Sequence, residues 1–231
     1  MPYLKVLTLN SNKVSSLSGL KQSSLKCLSL NDNNISQLIC ESDNNSSFKD
    51  NYFNGIDCPE LMALSICSNN LININNISQV SINLSVLYLS RNKIQNLKGL
   101  KDLINLERLH LRSNHITKLD GFNEKMKKLK YLNIRENRID NIKELKKLKC
   151  LSSLKILVVK SNNFNDNNEN TNNRMNILNM LPWLKRLDKD EVTKNEKDNI
   201  EYEETDDAYS NIEIDSSIGN EEELIFEDQD F

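Results

Sequence analysis

The chain has little of what usually marks a catalyst, a membrane protein or a secreted domain. No run approaches 18 consecutive apolar residues, so no helix is expected to cross a membrane. No basic segment leads into an apolar one near Met1, and a secretory signal is not expected. The five cysteines are odd in number and form no C-x-x-C pair, which argues against a disulfide framework or zinc site and for free thiols in a reducing compartment. Only two histidines occur, His110 and His115, and neither sits near a nucleophile motif, a phosphate loop or metal-ligand spacing. Catalysis is therefore not expected, and no metal or cofactor is called for. Apolar residues make up 38% and the mean hydropathy is −0.57, low for a packed globule; long Asn/Ser/Asp runs lower both without touching a core. These absences point to an intracellular, non-enzymatic chain, cytoplasmic by default with the nucleus as the alternative.

What is present is a spacing. In residues 84–100, leucine or isoleucine falls at 84, 87, 89, 94, 97 and 100, with Asn92 between the third and fourth. The order L-x-x-L-x-L-x-x-N-x-I is neither helical nor alternating, and it recurs seven times, starting at Leu4, Leu25, Leu61, Leu84, Leu106, Leu129 and Leu154. Start-to-start intervals are 21, 36, 23, 22, 23 and 25 residues; all but the 36 lie in the range of leucine-rich repeats. The x-L-x-L core of each repeat reads as a short strand with leucines inward. The asparagines Asn12, Asn33, Asn69, Asn92, Asn114, Asn137 and Asn162 fall where the chain leaves that strand. There a side-chain amide can bond backbone groups of its own turn and its neighbour's. Gly19, Gly99 and Gly121 share one position of the return arm. The predicted fold is α/β: a right-handed leucine-rich repeat solenoid with a parallel concave sheet and short 3₁₀ or helical convex turns.

Residues 1–188 are expected to form the solenoid. The stretch 40–58, rich in Asn, Ser and Asp, reads as a low-complexity insertion. At the C-terminal end, residues 174–188 read as a cap: Leu178 and Leu181 suit a short helix, and after Pro182 an extended segment lays Leu184 and Leu187 over the last repeat. No comparable cover precedes repeat one; either Met1–Tyr3 shields it or further repeats precede it. Residues 188–231 hold 18 acidic residues and 3 lysines, net −15, whereas 1–187 hold 27 basic and 15 acidic, net +12. The segment 189–231 is thus expected to be an acidic, disordered tail on a basic body.

The repeat L-x-x-L-x-L-x-x-N-x-I-x-x-L-x-G-L-x-x-L resembles the 22-residue class typified by the nuclear regulatory subunit of protein phosphatase 1. Leu178-x-x-Leu181-Pro182-x-Leu184-x-x-Leu187-Asp188 is similar to the C-terminal cap of that wider group, which includes a ciliary dynein light chain, a small nuclear ribonucleoprotein component and acidic nuclear phosphoproteins. The resemblance implies a non-enzymatic scaffold or regulatory adaptor that binds a partner protein on its concave face, with a phosphatase-regulatory subunit as one form. Ciliary or axonemal adaptors and RNA-associated proteins are the alternatives it carries.

The outward strand positions say where such a face would act. The third column of the repeats reads Val6, Cys27, Ala63, Val86, Arg108, Tyr131, Ile156. The fifth reads Thr8, Ser29, Ser65, Tyr88, His110, Asn133, Val158, and the seventh Asn10, Asn31, Cys67, Ser90, Arg112, Arg135, Lys160. The first three repeats are small and bland. Repeats four to six gather Tyr88, Arg108, His110, Arg112, Tyr131 and Arg135, the aromatic-plus-arginine composition of interface anchors. Charge complementarity predicts a partner with an acidic contact segment, and the acidic tail is expected to compete for the same face by intramolecular contact. Nucleic acid is not the expected partner, since much of the lysine lies on the return arms.

Overall fold

The computed structural model describes residues 3–17, 19–38, 58–165 and 173–200. Among them, nine short strands form one sheet in strict sequence order. These are β1 (Val6–Thr8), β2 (Cys27–Ser29), β3 (Ala63–Ser65), β4 (Val86–Tyr88), β5 (Arg108–His110), β6 (Tyr131–Asn133), β7 (Ile156–Val158), β8 (Arg186–Leu187) and β9 (Asp190–Glu191). Strands β1 to β8 run parallel and in register leucine to leucine, Leu7 beside Leu28, Leu64, Leu87, Leu109, Leu132, Leu157 and Leu187. Only the last pair, β8 with β9, is antiparallel. The return arms carry 3₁₀ turns at Ile77–Gln79, Lys98–Asp102, Ile142–Cys150 and Asn163–Asn165. This is the leucine-rich repeat solenoid that the spacing predicts. No helix of the described residues is long and apolar enough to cross a membrane.

The register follows from the leucines. Leu84, Leu87, Leu89, Ile94, Leu97 and Leu100 are at most 1% exposed, and their equivalents in the neighbouring repeats stack on them. Each such side chain stabilises the fold by about 1.5–3 kcal/mol relative to exposure, and a slip of one residue along a strand would turn every leucine outward. Gly99 and Gly121 let one return arm close on the one before. A β-carbon at Gly99 would stand 1.9 Å from the Ile74 carbonyl oxygen, and at Gly121 2.2 Å from that of Leu97.

The ends differ from expectation. Tyr3 is 88% exposed and Leu9 36%, so Tyr3 does not shield repeat one; Met1 and Pro2 lie outside the described residues. Of the expected insertion, Cys58 alone is described, and it is fully buried in the core rather than looped out; 40–57 lie outside the described residues. At the other end the packed chain runs past Asp188 to Ile200. Helix α1 (Asn173–Met180) supplies Ile177 and Leu178 to the core, and Leu181, Leu184 and Leu187 follow. Beyond them, β9 and the short helix α2 (Lys194–Asp198) bring in Val192 and Ile200. Residues 201–231, most of the expected tail, lie outside the described residues.

Candidate functional site

The concave face owes its rigidity to asparagines behind it. In Asn92, Nδ2 donates to the carbonyl oxygens of Leu89 (3.1 Å) and, in the preceding repeat, Ile66 (2.8 Å), while Oδ1 accepts the Leu71 N–H (3.0 Å). Asn33, Asn69, Asn114, Asn137 and Asn162 repeat the link to the preceding repeat, donating to Leu9, Leu30, Leu89, Leu111 and Ile134. All six are buried. Asn12 is exposed and bonds only its own turn, through Leu9 and Asn10. The residue before each asparagine (Ser11, Asp32, Ser68, Arg91, Ser113, Glu136, Ser161) is left-handed, with φ between 53° and 60°. This sharp exit aims the asparagine into the stack.

The six residues singled out on the concave face separate into two groups. Tyr88, His110 and Tyr131 form one ring stack: the Tyr88 and His110 centroids lie 4.6 Å apart at 37°, and those of His110 and Tyr131 4.7 Å apart at 24°. Arg108 stands in register between Val86 and Tyr131, beside that stack. Arg112 and Arg135 instead converge on Glu136. Arg112 Nε donates to Glu136 Oε2 at 3.1 Å, and Arg135 Nε lies 3.1 Å from Oε1. The Ser113 hydroxyl also donates to Glu136, and these contacts, Ser113 first, hold the Glu136 carboxyl below its ordinary range. The face is therefore less basic than the columns suggest.

Glu136 escapes a reading by columns because it follows the seventh position and reaches back over the sheet from its left-handed turn. A second asparagine pair is also missed, although both members stand in the seventh column. Asn10 Oδ1 accepts the Ser29 hydroxyl (2.8 Å) and the Asn31 N–H (2.9 Å), and Asn31 Oδ1 accepts the Ser65 hydroxyl (2.7 Å) and the Cys67 N–H (2.8 Å). Burial pushes the Cys67 thiol up. The expected cap residues Leu178, Leu181, Leu184 and Leu187 are buried, Pro182 is half-buried, and Asp188 follows them. Its Oδ1 accepts the N–H groups of Val159 (2.8 Å) and Lys160 (2.9 Å). In interior repeats the equivalent of the Val159 N–H, such as that of Leu111, bonds the next strand's carbonyl. Directly after β8, the Asp188 carboxylate thus takes the place of that backbone carbonyl.

Among the described residues no three His, Cys, Asp or Glu side chains gather as a metal ion would need. A recess of about 370 Å³ on the strand-entry edge is lined by Lys26, Lys128, Glu60 and Glu107, a mixture with no single sign. Among the described residues the concave face of repeats four to six presents a ring stack and arginines.

Comparison with known proteins agrees with this architecture. Residues 104–147, covering repeats five and six, match a family model described as Leucine Rich repeats (2 copies). The chain is 31% identical over 138 residues to human leucine-rich repeat-containing protein 23, covering 59% of this chain and 36% of that relative. It is 49% identical over 51 residues to the Bos taurus protein of the same name, 22% of this chain and 15% of that one. The chain thus spans about a third or less of these relatives' length. Among solved structures, an internalin from Listeria monocytogenes superposes with a TM-score of 0.59 at 23% identity, covering 80% of this chain and 47% of that one. Internalin C2 from the same organism gives 0.58 at 22%, covering 85% and 76%. At these identities the internalins show the fold alone.

Proposed function

We propose that the chain is a non-enzymatic protein-binding adaptor that holds a partner polypeptide on the concave face of repeats four to six. The Tyr88–His110–Tyr131 stack carries this reading. Three rings braced face against face on the sheet give contact area at small entropic cost. The three outward columns contain no acidic residue, so a partner with an acidic contact segment is favoured. Because Glu136 already engages Arg112 and Arg135, that acid falls to Arg108. The regulatory form of this adaptor, such as a phosphatase subunit, is supported by the repeat and cap motifs, and a cytoplasmic place by the free thiols.

The test is affinity capture from native cells with the full chain, wild type against a Tyr88→Ala/Arg108→Gln double variant. A partner retained by the wild type and lost from the variant supports the reading; equal recovery refutes it. If retention is instead abolished by ribonuclease, the partner is RNA and the protein-binding reading fails. Because residues 189–200 pack in the cap, the acidic remainder 201–231 is proposed as a competitor. A chain ending at 200 should then bind an acidic peptide more tightly than the full chain, and equal affinity would dismiss the competition.

A further inference from the structure

Next to the ring stack, the half of the concave face that looks bland in sequence has a shape. Between Val6 on β1 and the Tyr88 ring on β4 lies a hollow of about 140 Å³, floored by Cys27, Ser29, Ala63 and Ser65. Its depth comes from side-chain size: two strands of small residues, spaced about 4.8 Å apart, lie between the larger Val6 and Tyr88. Its floor is more apolar than its letters. The Ser29 hydroxyl donates to Asn10 Oδ1 and the Ser65 hydroxyl to Asn31 Oδ1, so both donors are engaged within the protein. The far wall is fixed, because Tyr88 leans on His110 and His110 on Tyr131. Val6 is 60% exposed on the near side.

We infer that this hollow is a seat for one bulky apolar side chain, aromatic in preference, of a partner segment whose acidic group reaches Arg108. The inference rests on the concave face being the partner surface and adds what the partner must carry. Charge and register fix the second half. Ala63, Val86 and Arg108 lie in one row across β3, β4 and β5, which places Arg108 two strands, about 10 Å, from the hollow floor. Among the described residues Arg108 forms no ion pair, unlike Arg112 and Arg135. An apolar anchor over Ala63 and a carboxylate about 10 Å along the row would engage both features at once. Aromatic preference follows from the Tyr88 wall, against which a second ring can stack or meet edge to face.

Cys27 in the floor provides the test without a known partner. The full chain, with Cys40 and Cys150 replaced by serine, is equilibrated in 2-mercaptoethanol with small disulfides bearing phenylethyl, hydroxyethyl or aminoethyl groups, and capture at Cys27 is read by peptide mass mapping. Cys58 is buried and the Cys67 thiol is pushed up by burial, so both compete poorly. The phenylethyl group should be captured at least about fivefold more than the hydroxyethyl group, as burial of part of a ring implies. A phenyl group bearing a carboxylate on a spacer of about 10 Å should be captured better still, and Arg108→Gln should remove that gain. Ala63→Arg or Ala63→Leu, both on the exposed face, should bring phenylethyl down to parity, with circular dichroism confirming the fold. Equal capture of phenylethyl and hydroxyethyl, or a preference that survives both Ala63 variants, overturns the inference. The two proposals fail separately. Loss of a captured partner from the Tyr88/Arg108 variant with no fragment preference removes the seat alone. A clear fragment preference with partner recovery unchanged removes the adaptor reading alone.

Discussion

One letter, asparagine, recurs at the same position in seven repeats but does not carry the same burden in each. Asn92 joins two repeats, and its loss leaves the Ile66 carbonyl and the Leu71 N–H without their partner in a buried place, while the Leu89 carbonyl keeps Asn114. Each orphaned backbone group costs about 1 kcal/mol or more, so Asn92→Ala should lower unfolding stability by about 2 kcal/mol in a urea titration. Asn12 is exposed and holds only its own turn, so Asn12→Ala should cost under about 1 kcal/mol in the same experiment. Equal losses would mean that the inter-repeat bonds contribute nothing. Glycine shows the same dependence on neighbours. Gly19 has positive φ but open space around it, whereas a methyl at Gly99 meets the Ile74 carbonyl at 1.9 Å. Gly99→Ala should therefore cost about 2 kcal/mol by thermal or urea unfolding. These positions were legible in the sequence from spacing alone. Their unequal weights were not, because weight depends on which carbonyl lies behind each one.

At the level of elements, the strands and their inward leucines could be read from the period, because one strand with one exit turn repeats. The outward columns were readable for the same reason, and they placed Tyr88, His110 and Tyr131 near each other. The Glu136 bridge could not be read so, since it depends on a left-handed turn lifting a side chain across two strands. The cap was legible to Asp188 and missed thereafter. Val192 and Ile200 are single apolar letters among charges, although Thr193-x-x-Glu196 carries the signature of a capping box. That box forms, and Glu196 also receives Arg174 from α1, where Arg174 further donates to the Leu187 and Glu191 carbonyls. Arg174 first, then Thr193, lowers the Glu196 carboxyl from 4.5 to about 2. A carboxyl depressed in the folded state stabilises fully above its ordinary value and loses that contribution as pH falls through its folded one. The cap should accordingly loosen between about pH 4.5 and pH 2, the two values for Glu196, reported by fluorescence of the sole tryptophan, Trp183. Glu196→Gln should weaken the cap at neutral pH and flatten that acid transition; a transition as steep as in the wild type would assign it to other groups.

Across the described array, the strand and asparagine hydrogen bonds join each repeat to its neighbours, so stability is a chain of neighbour terms. The consequence is directional. Among the described residues, Leu184, Leu187 and Asp188 belong to the cover on the outer side of repeat seven, and α1 packs against the Ile142–Cys150 arm of repeat six. A chain ending at residue 172 would expose Leu154 and Leu157, both fully buried in the intact protein, and would leave the Val159 N–H without its acceptor. In a globule with one shared core such a cut would unfold everything together. In this array it should unfold from one side. Amide hydrogen exchange should show protection lost at β7, reduced at β6, and unchanged at β3 and β4, where both neighbours remain. The concave stack spans β4 to β6, so its Tyr131 end should loosen before Tyr88 does, and a partner held by that stack should dissociate faster from the truncated chain. Uniform loss of protection from β2 to β7 would show instead that the array folds as one cooperative unit, and the neighbour description would have to be abandoned.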